Sequence, residues 1–600
     1  MILRALKDLA DREGLLKNPD YEPVSVGYLV KVGKEGRFLG FISNKETVQG
    51  KKGKKLNVKK FLVPVRSSRT SQDWPEFLVD KGEYVFGWPV DEKDGKKIKR
   101  AKKRHMLFGD LAGKAYEDTS HDEGIGAVLD LLQKHESGTL NITKPEGWHN
   151  EDLFGFIYDR DVDLLVSSRP SVSSYWAGIR FFRVQMVLPE EAVVAQCAAS
   201  GEVGQTIRLH PAVKGIPPIA DTKGGVPLTS INADAFESYE LKALSCVPIS
   251  PKIADGYGKA LERLLSPAYP SPIDGSPMPK RNVRLSNDTI VVYWSKEESE
   301  FLNFFSDAVE ANPEAVEAVY ESAWKGRHVP LDNPTAFYAL TLSGAQGRAT
   351  IRGWFESTVK DVAANVRQHF EDLKIVYPSN ADGQLSPLKR LLRSTVSSKV
   401  DNPDKQIHPN LAKDMFEAIV KGYPYPRIIL DAVIRRTCAE QGNERQNVTP
   451  ERAALIKAFL VRGKRFNQVP NNIPEVKIML DKECNSTAYR LGRLFAVLER
   501  LQKVATGANT TIRNRYYGSA SATPVVVFAQ LLRKAPHHLA KRDDAPFYEK
   551  LIQEILSPLT PKNAFPSTLT LEEQGVFALG YYHQRQDLFP SSTKTTKQEG

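Results

Sequence analysis

Cysteine is scarce in this sequence, with only four among 600 residues, at positions 197, 246, 438 and 484. None forms a Cys-x-x-Cys pair, which argues against both a tetrathiolate zinc site and a framework of structural disulfides. Long apolar runs are also lacking, because the longest, Val525 to Leu532, is interrupted by Gln530 and is far shorter than a membrane span. Charges interrupt the first twelve residues and leave no signal-peptide core. We therefore expect a cytoplasmic protein that does not associate with membranes.

The common catalytic motifs are absent as well. Gly50 to Lys55 has neither the spacing of a phosphate-binding Walker loop nor a Ser or Thr after the lysine, and no His-Glu-x-x-His or Gly-x-Ser-x-Gly occurs. His121-Asp122 resembles the centre of an HD-type metal site, but the further ligands are not identifiable. His210 has only the distant Cys197 as a possible co-ligand, which favours a hydrogen-bonded structural histidine. We predict no enzymatic activity, no cofactor and no bound metal. The alternative is a metal-dependent nuclease or hydrolase that uses His121, Asp122 or His210.

What the sequence does have is clustered positive charge. The net charge is +11 and the isoelectric point is near 9.1. Residues 45–60 hold seven lysines against one glutamate, with glycines at 50 and 53, which predicts an exposed, flexible basic loop or a solvated hairpin extension. Lysines in such a segment pair with phosphates as point charges. The candidate DNA-binding residues here are Lys51, Lys52, Lys54, Lys55, Lys59 and Lys60.

Two further groups lie close by in the sequence. Arg66, Arg69 and Gln72 follow a predicted strand, and arginine and glutamine side chains can contact base edges through paired hydrogen bonds. Structural ion pairs explain either arginine equally well. Residues 96–104 form a second basic run of seven cations in nine, before a helix predicted to begin near Arg104. Lys97, Arg100 and Lys103 are its candidate DNA-binding residues, and a solvated charged surface is the alternative.

The pattern of elements predicts an α+β protein. Tyr28 to Val32 and Arg37 to Ile42 flank a short glycine-containing turn and predict a hairpin. Short strands and helices are expected to alternate until about residue 375, with strands predicted at 151–165 and 178–188. Only helices are predicted after residue 387. We expect three domains: a mixed α/β domain over 1–380, a helical connecting region over 381–475 and a C-terminal helical bundle over 476–600.

The last bundle contains the most informative segment, residues 479–513. Leu491, Leu494, Leu498 and Leu501 recur at helical spacing and predict a buried face. Cations recur on a different face, where we expect them to meet an anionic partner such as nucleic acid. Aromatic residues at 516 and 517 suit single strands, which are bound by charge and base stacking. A helix surface with intrahelical ion pairs is the alternative. The candidate nucleic-acid-binding residues are Arg490, Arg493, Arg500, Lys503, Arg513 and Arg515.

Five stretches of this chain resemble one family in sequence order. The run Ala488-Tyr-Arg-Leu-Gly-Arg-Leu-Phe-Ala-Val-Leu-Glu499 is similar to the C-terminal region of the large subunit of the type I-C CRISPR Cascade complex. The other four stretches are Arg66-Ser-Ser-Arg-Thr-Ser71 with Phe77-Leu-Val-Asp80, Ile207-Arg-Leu-His-Pro-Ala-Val-Lys-Gly215, Ile231-Asn-Ala-Asp-Ala-Phe-Glu-Ser-Tyr239, and Phe337 to Ser343 leading to Arg348-Ala-Thr-Ile-Arg-Gly-Trp354. Together they span most of the sequence.

The resemblance implies a non-catalytic subunit of a CRISPR RNA (crRNA)-guided complex. Such a subunit recognises the protospacer-adjacent motif in duplex DNA, promotes R-loop formation and provides a docking platform for a helicase-nuclease, while guide pairing supplies most of the specificity. The implied partners are crRNA, target double-stranded DNA, the displaced strand, and the backbone and crRNA-end-binding Cascade subunits. A small subunit translated internally from the C-terminal region is also implied, and Met479 is a candidate start. A purely architectural, crRNA-binding role is a further alternative.

Overall fold

A computed structural model describes most of the chain, which forms two compact units. The described residues are 2–16, 20–50, 53–67, 69, 73–161, 163–186, 193–218, 225–230, 233–237, 239–241, 246–271, 275–310, 334–345, 348–378, 385–397, 399–442, 447–507, 510–559 and 564–588. The N-terminal unit comprises Met1–Val213, Val226–Leu261 and Pro272–Asp274, and the C-terminal unit comprises Lys214–Gly225, Glu262–Ser271 and Gly275–Gly600. Among these described residues, no helix has the length and apolar character needed to cross a membrane.

The N-terminal unit mixes short strands with helices. Its strands are Tyr21–Ser25, Tyr28–Gly33, Arg37–Ser43, Lys45–Gly50, Gly53–Val58, Lys60–Pro64, Asp80–Lys81, Leu153–Tyr158, Val194–Gln196, Val203–Gln205, Ala212–Val213 and Val226–Pro227. Its helices are Ile2–Arg12, Gly82–Val85, Gly95–Asp118, Glu123–Glu136, Pro170–Gln185 and Pro251–Leu265, the last ending just past the unit boundary.

A four-stranded mixed sheet organises the core of the N-terminal unit. Tyr28–Gly33 pairs antiparallel with Arg37–Ser43, which confirms the predicted hairpin, and pairs parallel with Leu153–Tyr158. The parallel pairing requires a long crossover, and the helices between residues 95 and 136 supply it. Apolar side chains of the sheet pack against these helices, and Phe77 stacks on Trp176 with ring centroids 5.2 Å apart.

Two sequence predictions for this unit are wrong, and one open alternative is decided. Of the two alternatives for residues 45–60, the hairpin extension is confirmed and the loop is not, because Lys45–Gly50 and Gly53–Val58 pair antiparallel, with Gly50 opposite Gly53. We call Lys45–Val58 the lysine hairpin. Residues 178–188 are not a strand, because most of them belong to the helix Pro170–Gln185. Burial of Val172 and Trp176 on that helix outweighs the β-propensity of its aromatic residues. The helix expected near Arg104 begins at Gly95, and we call Gly95–Asp118 the basic helix.

The C-terminal unit combines one sheet with many helices. Its strands Asn282–Arg284, Thr289–Ser295, Ala336–Ala345 and Arg348–Thr358 form an antiparallel sheet in sequence order. Its helices are Phe301–Glu310, Val359–Leu373, Leu388–Ser394, Pro409–Lys421, Arg427–Ala439, Pro450–Arg465, Thr487–Thr506, Ile512–Ala522, Pro524–Leu539, Ala545–Leu556 and Leu571–Leu588. We call Thr487–Thr506 the arginine helix. After residue 387 the described part of the chain contains helices and no strands. The α+β prediction is confirmed.

One hydrophobic core runs through the C-terminal unit. It extends from Val283 in the sheet to Tyr582 in the last helix, and includes the apolar face predicted for the arginine helix. The arginine helix and the helix Leu571–Leu588 cross at glycines. A Cβ on Gly492 would lie 2.0 Å from the Phe577 carbonyl oxygen, and one on Gly580 would lie 2.1 Å from that of Tyr489. The backbones therefore touch, and the crossing admits only glycine. The domain boundaries near 380 and 475 remain predictions.

Candidate nucleic-acid interface

The basic helix begins with a dense group of cations. The Asp94 carboxylate caps it by accepting hydrogen bonds from the backbone N–H groups of Lys96 (2.9 Å) and Lys97 (3.4 Å). Its first turn contains no acidic residue. Cations in that turn oppose the positive end of the helix dipole, which disfavours each by about 0.3–1 kcal/mol. The helix therefore carries this charge at some expense of its own stability, and an anionic partner would relieve the repulsion.

Part of the charge on the basic helix is neutralised within the N-terminal unit. The Lys97 ammonium lies 3.6 Å from the Asp91 carboxylate. The Asp73 carboxylate accepts hydrogen bonds from the guanidinium groups of Arg100 at 2.8 Å and Arg104 at 2.9 Å. It also lies 3.9 Å from the Lys103 ammonium. The predicted residues Lys97, Arg100 and Lys103 are thus exposed but have intramolecular partners.

The neighbouring arginines lower the pKa of the Asp73 carboxyl group. Burial would raise its pKa, but the hydrogen bonds from Arg100 and Arg104 outweigh burial and hold the pKa below its usual range. The Arg104 guanidinium also pairs with Glu83 at 2.6 Å. Asp73 is therefore a charged anchor that fixes part of the basic helix against the preceding loop.

The basic helix also carries cations that the sequence analysis did not single out. Lys96, Lys99 and Lys102 are exposed and form no ion pair with any residue that the structure describes. They recur every three residues, so they lie on neighbouring helical positions. They were not singled out because the helix was predicted to start near Arg104, and because the sequence could not show which cations of the run have acidic partners.

Arg69 lies in a buried ion network. Its guanidinium donates to the Asp80 carboxylate at 2.8 and 3.1 Å, lies 3.2 Å from Glu76 and stacks over the Tyr84 ring at 4.5 Å. Asp80 has no exposed surface and also accepts hydrogen bonds from the backbone N–H groups of Glu76 and Lys81. Burial would lower the pKa of Arg69, but Asp80 raises it well above its ordinary value. In this conformation Arg69 fixes the loop rather than facing outward.

Arg66 lies beside the same network. Its backbone N–H donates to Glu22 at 2.9 Å, and its guanidinium lies 3.9 Å from the Asp80 carboxylate. Its side chain is about one-quarter exposed, and its buried Nε has no hydrogen-bond partner among the described atoms. Arg66 is therefore more accessible than Arg69. Gln72 lies outside the described residues.

The lysine hairpin is fixed at its base. The Lys45 ammonium donates to the Gly147 carbonyl at 2.7 Å and to Asp152 at 2.5 Å, and lies 4.6 Å above the Tyr28 ring. Just beyond the hairpin, Lys59 and Lys60 are exposed. Of the other predicted residues, Lys51 and Lys52 lie outside the described chain, and Lys54 and Lys55 are placed only as backbone in the second strand.

The arginine helix does not direct all its cations outward, contrary to the sequence expectation. Arg490 is 3% exposed and donates to Asn485 at 3.0 Å and to the carbonyls of Glu554 and Ile555, which end a neighbouring helix. Arg493 is fully buried and donates to Gln584 and Glu554, each at 2.9 Å. Arginines on this face act inside the bundle because the helix is surrounded on two sides.

A second buried network surrounds Glu499. Its carboxylate accepts hydrogen bonds from Thr511 (2.8 Å), Tyr581 (2.7 Å) and Arg585 (3.0 Å), and Arg513 lies 3.8 Å away. Arg513 is 6% exposed. The Glu499 carboxylate is therefore bonded to residues outside the arginine helix. These contacts take the place of an intrahelical ion pair between Glu499 and Lys503.

The accessible cations of this region lie towards the end of the arginine helix and beyond it. Lys503 and Arg515 are exposed, and Arg500 is half-buried with other contacts. The Arg515 guanidinium lies 5.6 Å above the Tyr516 ring. Charge and an aromatic ring therefore occur together at Arg515, the combination that can bind single strands. The prediction is wrong for the residue at 517, because Tyr517 is 1% exposed and packs inside the bundle.

The residues of the metal-site alternative have other roles in the structure. Asp122 caps the helix Glu123–Glu136 by accepting from Gly124 at 2.9 Å, and pairs with Arg169 at 2.9 Å. His210 is buried and bonds to the Tyr257 hydroxyl at 2.6 Å. Throughout the described part of the chain, no group of three or more His, Cys, Asp or Glu side chains could hold a metal ion.

Comparison with known proteins agrees with the sequence resemblance. The family model for CRISPR-associated protein (Cas_Csd1) matches residues 4–589, nearly the whole chain. No curated protein matches it. The match covers residues of both units and is not confined to one of them. The chain therefore belongs to the Cas_Csd1 family, whose members are large subunits of the type I-C CRISPR Cascade complex.

Proposed function

We propose that this protein is a non-catalytic large subunit that recognises the protospacer-adjacent motif in duplex DNA and promotes R-loop formation. Its partners are crRNA, the target duplex, the displaced strand, and the backbone and crRNA-end-binding subunits. It also provides a docking platform for the helicase-nuclease, and its own C-terminal region supplies the small subunit. Sequence specificity is left mainly to guide pairing.

The exposed face of the basic helix is the observation that carries this proposal. Lys96, Lys99 and Lys102 present three adjacent positive charges without described ion-pair partners. Lys96 lies in the first turn, where a positive charge opposes the helix dipole of the free protein. A phosphate backbone supplies the complementary charge, since lysines pair with phosphates and position a protein on the duplex. The neighbouring Lys97, Arg100 and Lys103 strengthen the same positive field.

In the C-terminal unit, Lys503 and Arg515 support contact with the displaced strand or the heteroduplex backbone. Both are exposed. The proposal leaves out Arg490 and Arg493, since their guanidinium groups are buried among acceptors of the bundle. Arg69 is likewise assigned to holding its loop, and Arg66 remains a candidate for duplex contact.

The test is a triple variant, Lys96→Gln, Lys99→Gln and Lys102→Gln, assembled into the crRNA-loaded complex. Duplex binding is measured between about 50 and 200 mM salt, where phosphate contacts give a steep dependence. Each phosphate contact contributes about 0.9 to the slope of log affinity against log salt concentration. We expect the variant to bind more weakly, with a slope flatter by up to about 2.7.

A matched control removes the same charge elsewhere. Lys252→Gln, Lys399→Gln and Lys405→Gln also neutralise three exposed lysines, and we expect this variant to keep the wild-type slope. Equal slopes for the wild type and the basic-helix variant would rule out the proposed duplex contact.

The proposed absence of catalysis has its own assay. Purified protein is incubated with Mg²⁺, Mn²⁺ or Zn²⁺ and labelled DNA or RNA, and we expect no cleavage. Cleavage that is abolished by Asp122→Asn or His210→Gln would instead establish the hydrolase alternative.

A further inference from the structure

A cavity of about 350 Å³ lies in the C-terminal unit beside the arginine helix. The helices Ile512–Ala522 and Pro524–Leu539 complete its walls. Apolar side chains provide one part of the lining: Leu498, Leu501, Ile512, Leu531 and Ala535. The volume falls within the range of small-ligand sites, about 300–1,000 Å³, in which apolar walls carry a few polar groups.

The rest of the lining is polar and positively charged. Arg515 and Lys534 line the cavity and are exposed to solvent. The described lining contains no acidic side chain. The Gln502 side-chain oxygen accepts the Ile512 N–H at 2.7 Å, while no bond to a described residue engages its amide NH₂ group. The cavity therefore combines an apolar surface, an amide donor and two cations, which suits a flat apolar group with an anionic substituent.

His538 adds an unsatisfied polar atom to the same wall. Its Nδ1 is buried without a hydrogen-bond partner among the described atoms. Burial lowers the pKa of His538, and Lys541, His537 and Lys534 lower it further. The ring is therefore neutral near pH 7, with one nitrogen that donates and one that accepts. Such a ring can meet the mixed donor and acceptor edge of a nucleobase.

We infer that this cavity receives one unstacked nucleotide of single-stranded nucleic acid. The base packs against the leucine-rich wall near Tyr516, and its phosphate lies near Arg515 and Lys534. A base within a duplex cannot enter, because single-strand binding depends on bases that are free to leave the stack. This inference rests on the proposed function, and assigns to the C-terminal unit a site for a base in addition to phosphate contacts.

The experiment measures binding of the full-length protein to two 12-nucleotide strands, oligo(dT) and an abasic strand with the same phosphates. Ala535→Phe fills the cavity without changing charge. We expect it to weaken oligo(dT) binding at least about tenfold, as expected for loss of base stacking, and to leave abasic-strand binding within twofold. Thermal melting of the variant checks that the bundle remains folded.

A charge variant keeps the inference testable if Ala535→Phe fails to fold. Arg515→Gln with Lys534→Gln should weaken both strands, and oligo(dT) more. The matched control, Arg533→Gln with Lys550→Gln, removes two exposed cations outside the cavity lining and should lower binding of both strands equally. Equal losses for the two strands in both charge variants would overturn the inference.

Two further arms separate the sources of the nucleotide. Oligo(U) replaces oligo(dT) to compare RNA with DNA, and free thymidine monophosphate is added as a competitor. Competition at micromolar concentration, with no difference between intact and abasic strands, would assign the cavity to free nucleotides and refute the strand inference. If the assembled complex captures duplex normally while the cavity variants match the wild type, only this inference fails. If the complex captures no duplex, the proposed function itself fails.

Discussion

Arg493 donates from all three guanidinium nitrogens to groups inside the C-terminal unit, namely Gln584, Glu554 and the Lys482 carbonyl. Arg515, only twenty-two positions later, is exposed and stacks on a tyrosine. The two side chains are chemically identical, but one stabilises the bundle and the other is available to a partner. Removing the Arg493 side chain should therefore lower the stability of the protein, whereas removing that of Arg515 should weaken binding of a partner.

Arg493→Leu should lower the free energy of unfolding by about 2–4 kcal/mol, because it leaves buried Gln584 without a donor and changes packing. Urea denaturation followed by circular dichroism measures the change. Arg515→Leu is the control, and we expect it to alter the free energy of unfolding by less than about 0.5 kcal/mol. Similar stabilities for the two variants would contradict the structural role of Arg493.

Arg69→Gln should destabilise the N-terminal unit by about 3–5 kcal/mol, because Asp80 would keep a buried charge without its partner. Arg69→Lys should recover only part of the loss, since an ammonium cannot make the paired contact with the carboxylate. Chemical denaturation of both variants measures the difference. If instead Arg69→Gln keeps wild-type stability and loses duplex binding, Arg69 reads DNA, as the sequence first indicated.

His210 should make stability depend on pH. Burial lowers its pKa from 6.5 to about 4 in the folded protein. Between these values the unfolded chain binds the proton and the folded chain does not, so stability falls as the pH decreases from about 6.5 to about 4. The urea midpoint should decrease less steeply over this window in His210→Gln than in the wild type. Parallel pH profiles would show that His210 contributes no such dependence.

At the scale of elements, most of the helices after residue 387 could be predicted because their apolar residues recur with helical period. Leu571–Leu588 shows no such period, because every residue from Gly575 to Gln584 is buried and the helix has no polar face there. The start of the basic helix was missed because residues 96–104 contain only Ile98 and Ala101 as apolar residues, too few to show a helical period, and cations in a first turn oppose the dipole. The strand predicted over 178–188 failed because tertiary packing overrode local preference.

The candidate site was predictable as composition but not as geometry. Clustered lysines and arginines were identified correctly as clusters. The sequence could not separate Lys96, Lys99 and Lys102 from Lys97 and Arg100, because the distinction depends on which cations reach Asp91 and Asp73 in the folded chain. Nor could it reveal the cavity beside Arg515, which three helices form together.

Glycine substitutions test the helix crossing directly. Gly580→Ala should destabilise the C-terminal unit by more than about 3 kcal/mol, because its Cβ would overlap the Tyr489 carbonyl. Gly109→Ala in the basic helix is the matched control, because nothing lies within 4 Å of its Cβ. We expect that control to gain about 0.5–1 kcal/mol from helix propensity. Thermal melting distinguishes the two, and equal destabilisation would contradict the close crossing.

At the scale of the whole molecule, the family assignment covers both units, while the proposed contacts divide between them. The duplex contact belongs to the N-terminal unit and the single-strand contact to the C-terminal unit. Loss of the proposed duplex contact should therefore leave single-strand binding measurable in the full-length protein, and the reverse should also hold. The basic-helix variant should bind oligo(dT) normally, and the cavity variant should retain its salt-dependent duplex binding.

The internal product predicted from Met479 can be tested on the same basis. Met479 is 63% exposed and precedes the arginine helix, whose glycine-mediated partner helix lies within the same fragment. We expect a fragment that begins at Met479 to be helical by circular dichroism. Synonymous recoding of the ribosome-binding segment upstream should remove the short product from a denaturing gel. Persistence of that product would place its start elsewhere, such as an upstream valine codon.

In the proposed duplex contact, the dimensions of the basic helix limit how much DNA it can span. Its charged portion, residues 95–104, rises about 15 Å at 1.5 Å per residue. Successive phosphates of one strand are spaced about 3.4 Å along the duplex axis, so this portion matches about four base-pair steps. A footprint of this size fits a motif of a few letters. It also leaves the rest of the target to be measured by hybridisation with the guide.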